Sequence, residues 1–88
     1  MAPTITILGR DWCGDTIRSR AWLDAEGIAY AYRNVETDTA ADTLIRSYND
    51  GGVVTPTILL GDPTAPSSVL REPSDEALAA AIAALATA

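Results

Sequence analysis

Ile5-Thr6-Ile7-Leu8-Gly9-Arg10-Asp11-Trp12-Cys13-Gly14-Asp15-Thr16 is the stretch that decides how this chain folds. Thr4 to Leu8 alternates Thr and Ile and predicts a β-strand. Gly9-Arg10-Asp11 predicts a turn. A helix is predicted from Thr16 to Glu26, ended by Gly27 in a C′-like position. Cys13, the single cysteine, falls between strand and helix. A thiol there lies at the positive end of the helix, whose unpaired backbone N–H groups favour the thiolate. The thiolate is the nucleophile, so sulfur chemistry is expected at this turn.

Downstream, Ile28 to Val35 predicts a second strand. Thr37-Asp38-Thr39 carries N-cap chemistry, and Ala40 to Tyr48 then predicts a helix with Ala41, Leu44, Ile45 and Tyr48 on one buried stripe. Asn49-Asp50-Gly51-Gly52 stops it. Val53 to Leu60 is a strand pattern interrupted by Pro56. Gly61 to Pro66 reads as a loop, and Ser68 to Leu70 as a short returning strand. Ser74 is a good N-cap, and Asp75 and Glu76 complement the helix dipole after it. Leu78, Ile82 and Leu85 mark the buried stripe of a last, Ala-rich helix. In the first helix, Ile17, Ala21, Trp22, Leu23 and Ala25 are expected to press apolar surface on a sheet. The order is β-α-β-α-β-β-α, an α/β domain. Strands separated by helices imply parallel pairing, and two strands joined by a loop imply an antiparallel edge. One domain is expected over residues 1–88.

Composition narrows the function. An apolar fraction of 48% suits a globular chain, and 88 residues allow one modest core. No apolar run approaches the ~20 residues needed to span a membrane. Met1-Ala2-Pro3-Thr4 carries no basic n-region, so no secretory signal is expected, and the reducing cytoplasm is the expected compartment. The net charge is −6, with six Arg, no Lys and no His. That balance disfavours nucleic acid and anionic membranes as partners. Without His, a mononuclear zinc site or a Cys–His dyad is not expected.

Most lone cysteines are small buried hydrophobes. Three features favour chemistry at Cys13: its place at a strand-to-helix turn, the room left by Gly14, and Arg10 and Arg18 near in sequence. Asp15 opposes them by competing for the same N–H groups. Pro56 fits either a trans proline at a strand entrance or a cis Thr55–Pro56 bond that frees the Thr55 backbone to pair with an extended ligand. Ser74-Asp75 caps a helix, and a helix N-terminus also binds carboxylates. Trp12 stands beside the thiol. Tyr30, Tyr32 and Trp22 are assigned to packing, and Arg46 to a solvated helix face in preference to a second carboxylate contact from the second helix.

Taken together, Trp12-Cys13-Gly14-Asp15-Thr16, Asn34-Val35-Glu36-Thr37-Asp38, Gly51-Gly52-Val53-Val54-Thr55-Pro56-Thr57 and Leu70-Arg71-Glu72-Pro73-Ser74-Asp75-Glu76 resemble the glutaredoxin-like family, most of all its mycoredoxin and NrdH-redoxin members. The resemblance covers essentially the whole chain. It implies a thioredoxin-like fold with a four-stranded mixed sheet flanked by three helices. It also implies a cis proline and a last-helix N-terminus that converge on the cysteine and form a groove for a low-molecular-weight thiol. By this resemblance Cys13 is the catalytic nucleophile, with Thr16 supporting it. Trp12, Gly14, Thr55, Pro56, Ser74 and Asp75 are the thiol-ligand-binding residues. No metal and no tightly bound cofactor is implied; mycothiol or glutathione is the co-substrate, thiolated proteins are the partners, and a monomer is expected.

Thr16 departs from the dithiol pattern C-x-x-C, and Val54-Thr55-Pro56 departs from the usual Thr-Val-Pro. The loop Gly61 to Pro66 is longer than the tight hairpin usual there. With no second cysteine, a monothiol route is expected, in which a second small-thiol molecule resolves the Cys13 adduct. Two other functions are compatible with a single active-site cysteine. One is iron–sulfur cluster carriage, although Asp15 beside an anionic cluster is unfavourable. The other is a redox-inactive binding module on the same scaffold.

Overall fold

Side chains alternate along the two central strands, β1 (Ile5–Gly9) and β3 (Thr57–Asp62), and divide the interior in two. Ile5, Ile7, Ile58 and Leu60 face one side, where they pack with Leu23 and Leu78. Leu8 and Leu59 face the other, with Val35, Ala41 and Ile45. The computed structural model describes residues 4–87. Met1–Pro3, read above for the absence of an export signal, and Ala88 lie outside the described residues.

The remaining elements are α1 (Gly14–Ala25), β2 (Ala31–Asn34), α2 (Thr39–Ser47), β4 (Ala65–Arg71) and α3 (Asp75–Thr87). The sheet has four strands in the order β2-β1-β3-β4. β1 pairs parallel with β2 and antiparallel with β3, which pairs antiparallel with β4. The element order and the mixed sheet are those expected. Helices α1 and α3 cover one face through Leu23 and Leu78, and α2 covers the other through Ala41 and Ile45. The carboxylate of Asp38 caps α2 by accepting from the Ala41 N–H, and it also accepts from Arg33.

Several boundaries differ from expectation. α1 begins at Gly14, two residues before Thr16. This places Thr16 inside the first turn, fully buried. Its buried face is Thr16, Ser19 and Leu23, whereas Ile17 is 53% exposed. Apolar periodicity missed that face because two of its three members carry hydroxyls. β2 is shorter than Ile28 to Val35, and Val53 to Pro56 is an irregular approach to β3, not strand.

Gly61 to Pro66 is not a long loop. β3 and β4 run on to a tight hairpin with only Pro63 and Thr64 at its tip. Asp62 closes it, because its Oδ1 accepts from both the Thr64 N–H (2.9 Å) and the Thr64 hydroxyl (2.7 Å). The Tyr48 hydroxyl of the α2 C-cap donates to the Pro63 carbonyl at 2.8 Å. Gly61, at φ +92°, takes up a register shift opposite Pro66. Proline is tolerated there because β4 is an edge strand.

Leu78 is the one fully buried side chain of α3, while Ile82 and Leu85 are partly buried against the same cluster. Leu78→Ala is therefore expected to cost about 2–5 kcal/mol, and Leu85→Ala distinctly less, read from urea denaturation midpoints at constant m-value.

Candidate functional site: the Cys13 thiol and the Thr55–Pro56 segment

The α1 N-terminus is fixed from the sheet side. Gly9 ends β1, and a Cβ built on it would lie 2.6 Å from Thr16 Cγ2 and 2.7 Å from Thr16 Oγ1. The bare Gly9 backbone thus lets the first turn of α1 approach the strand directly. The intervening turn is pinned on the outside. The Tyr32 hydroxyl donates to Asp11 Oδ1 at 2.6 Å, and Trp12 Nε1 donates to Glu36 Oε1 at 2.8 Å. Burial and the bond to Asp11 push the Tyr32 phenol up to about 12, so it remains a proton donor at neutral pH.

Cys13 is the N-cap of α1, with extended backbone (φ −76°, ψ 121°) and no side-chain capping bond. It is partly exposed, and its sulfur donates to the Thr55 carbonyl at 3.5 Å. The Thr55–Pro56 bond is cis, and both residues are buried. Burial raises the Cys13 thiol pKa, but hydrogen bonds from the side chains of Thr55 and Thr16, and from the N–H groups of Thr16 and Asp15, outweigh it; the net shift is downward. Thr16 Oγ1 is buried and has no partner beside the neutral thiol. Ionisation supplies the acceptor that this donor lacks.

The arginines do not contribute as expected. Arg10 lies 4.0 Å from Glu36 and 5.2 Å from the Trp12 ring centroid. Arg18 donates to Asp75 (2.8 Å), to Asp15 (3.3 Å) and to the Pro73 carbonyl (3.1 Å). Arg18 therefore clamps the start of α3 over the first turns of α1. Neither guanidinium is among the causes that lower the Cys13 pKa. Asp15, expected to oppose ionisation, turns its carboxylate to Arg18 and offers its N–H to the sulfur.

Ser74 caps α3 as expected, its Oγ accepting from the Ala77 N–H at 3.1 Å. The carboxylate of Asp75 is engaged by Arg18, and among the described residues the backbone N–H groups of Asp75 and Glu76 have no partner. The space beside Gly14 is open, with nothing within 4 Å of a Cβ built there. Trp12 is 65% exposed next to the thiol. Arg46 is exposed on its helix face as expected, where it donates to Asp42 and to the Gly51 carbonyl. With Arg10, Val35, Glu36, Thr39 and Asp42 it lines a cleft of about 470 Å³ beside the thiol turn. Gly9 and Glu36 were not singled out from the sequence. A glycine at the strand end before the thiol turn was the only signal for the first.

The strand order, the sulfur on the α1 N-cap and the cis prolyl segment against it define the thioredoxin fold. Solved structures agree. A thioredoxin from Plasmodium falciparum superimposes with a TM-score of 0.65 at 15% identity, covering 93% of this chain and 79% of its own. A chain from a structure on the thiol-resolving mechanism of yeast mitochondrial 1-Cys peroxiredoxin gives 0.68 at 15% identity, covering 94% and 78%. Within that fold the chain belongs to the glutaredoxin family, whose sequence profile matches residues 5–63. Two curated proteins from strains of Mycobacterium tuberculosis that carry a glutaredoxin name are each 32% identical over 82 residues, 93% of either chain. The family is one of thiol–disulfide redox proteins that use glutathione-type thiols.

Because hydrogen bonds set the thiolate, Thr16→Val should move the midpoint of Cys13 alkylation up toward that of an ordinary thiol, and Thr16→Ser should keep it low. The sign for stability follows from the lowered value. Above the folded-state pKa the folded chain binds fewer protons than the unfolded one, so stability rises with pH up to the ordinary thiol value. Cys13→Ser should lose that rise in pH-dependent denaturation.

Proposed function

We propose that this protein is a monothiol thiol–disulfide oxidoreductase of the mycoredoxin kind. It would exchange mixed disulfides between proteins and a low-molecular-weight thiol, mycothiol or glutathione, in the cytoplasm and as a monomer. The observation that carries the reading is the Cys13 sulfur, partly exposed on a helix N-cap, lowered in pKa and in contact with the Thr55 carbonyl.

The Cys13 thiolate attacks the small-thiol sulfur of a protein mixed disulfide. The old S–S bond breaks, the protein sulfur leaves as a thiolate and takes a proton, and the small thiol is now disulfide-bonded to Cys13. A second small-thiol molecule, as its thiolate, attacks the sulfur of the bound one. Cys13 leaves as thiolate and the symmetric small-thiol disulfide departs. In sum one free small thiol is consumed, the protein cysteine is released as a thiol, and the disulfide passes to the two small-thiol sulfurs, which leave joined. Thr16 and the α1 N–H groups stabilise Cys13 as nucleophile and again as leaving group. The Thr55 backbone, its N–H without a partner among the described residues, aligns the ligand strand-fashion. The free N–H groups of Asp75 and Glu76, below the Ser74 cap, receive its polar end. Trp12 and the open side at Gly14 border the groove, and the Arg10–Arg46 cleft gives the rest of the ligand a place.

Reduced protein incubated with a mycothiol or glutathione mixed disulfide should gain the mass of one small thiol on Cys13, and Cys13→Ser should gain none. Absence of the adduct beside a reactive control thiol would overturn the reading. Thr16→Cys should add protein-disulfide reductase activity on the order of tenfold by supplying a resolving thiol; no gain would favour a scaffold without turnover.

A further inference from the structure

The segment facing Cys13 has each of its carbonyls held by a different element. The Pro56 carbonyl accepts from the Glu72 N–H at 2.9 Å. The Thr55 carbonyl accepts from the thiol. The Val54 carbonyl, on the side away from the sulfur in sequence, accepts from the Thr57 hydroxyl at 2.6 Å. Thr57 is fully buried, so its Oγ1 needs a donor of its own. Asn49, just past α2, supplies one through Nδ2 at 3.2 Å. The same Nδ2 donates to the Ile45 carbonyl at 2.7 Å, and Asn49 Oδ1 accepts from Arg71 Nε at 3.0 Å. Arg71 also donates to the Tyr48 carbonyl. A continuous chain of hydrogen bonds therefore runs from β4 through the end of α2 to the peptide preceding Thr55. None of its members touches the sulfur.

We propose that Asn49, oriented by Arg71, is a positioning residue: through the Thr57 hydroxyl it fixes the Val54 carbonyl and so holds Thr55 against the Cys13 sulfur. The donor directions along the chain make Thr57 the link between Asn49 and Val54. With Asn49 donating to its oxygen, the Thr57 proton is left free for Val54. Removing the hydroxyl leaves the Val54 carbonyl without its partner and frees the 53–55 segment to turn. Thr55 then loses the geometry by which its carbonyl meets the thiol, its side chain favours the thiolate, and its N–H is presented to a ligand. The last consequence rests on the function proposed above; the others do not.

The test uses Thr57→Val, which keeps shape and removes the hydroxyl, Thr57→Ser, which restores it, and Asn49→Leu at the next link. Three quantities are read for each: the alkylation midpoint of Cys13, KM and kcat with a small-thiol mixed disulfide, and the thermal midpoint. Thr57→Val and Asn49→Leu should raise the alkylation midpoint. They should also raise KM on the order of tenfold, the scale of a small misplacement of a positioning group, with a lesser change in kcat. Thr57→Ser should restore both. If these variants lose thermal stability while alkylation and KM stay at wild-type values, the chain is structural only and the proposal fails. If Thr57→Val does not fold, Arg71→Met, on an exposed side chain, decides the same question by the same readouts. Alkylation needs no turnover, so its response stands even if the wild-type protein forms no adduct.

Discussion

The fit of Thr16 on the bare backbone of Gly9 sets the rest of the site. No side chain at position 9 separates the end of β1 from the first turn of α1. The connecting turn can then be short, and Cys13 falls on the N-cap and not deeper in the helix. At that position a sulfur meets N–H groups that have no intrahelical partner. The same close approach buries the Thr16 hydroxyl beside the thiol, where burial makes an unpaired donor costly. One backbone vacancy thus determines both where the nucleophile stands and which groups favour its ionised form.

Short-range hydrogen bonds, not guanidinium charge, tune this thiol. Every arginine near the site is committed elsewhere, Arg10 to Glu36 and Arg18 to Asp75, Asp15 and Pro73. These pairs are partly exposed and each contributes little to stability. The role of Arg18 is architectural, since it ties the first turns of α1 to the start of α3 across the groove. Bonds within van der Waals reach of the sulfur are also screened less by salt than exposed charges would be.

Much of this was legible in the sequence. Period-2 alternation at Ile5 and Ile7, N-caps at Asp38 and Ser74, and the stripes of α2 and α3 all describe elements that form where expected. The cis bond at Pro56 and its encounter with Cys13 followed from family resemblance, not from periodicity. What was missed has physical causes. The buried face of α1 is hydroxyl-bearing, so apolar counting overlooked Thr16 and Ser19 and credited Ile17 instead. Prolines in Gly61 to Pro66 argued for a loop, but an edge strand accommodates them. Arg10 and Arg18 are close to Cys13 in sequence, and Arg18 has a local partner in Asp15, yet Glu36 and Asp75, which also claim these arginines, lie 26 and 57 residues away. Pairings at that separation leave no local signal.

The hairpin also bears on how the molecule keeps to itself. β4 forms one outer margin of the sheet, and such margins are templates on which foreign chains can polymerise. Pro66 removes one donor from that margin, and the irregularity opposite it at Leu60/Gly61 bends the ribbon away from a flat lattice. A feature that looks like a local accident of turn geometry thereby guards an acidic, histidine-free little protein against amyloid-like growth.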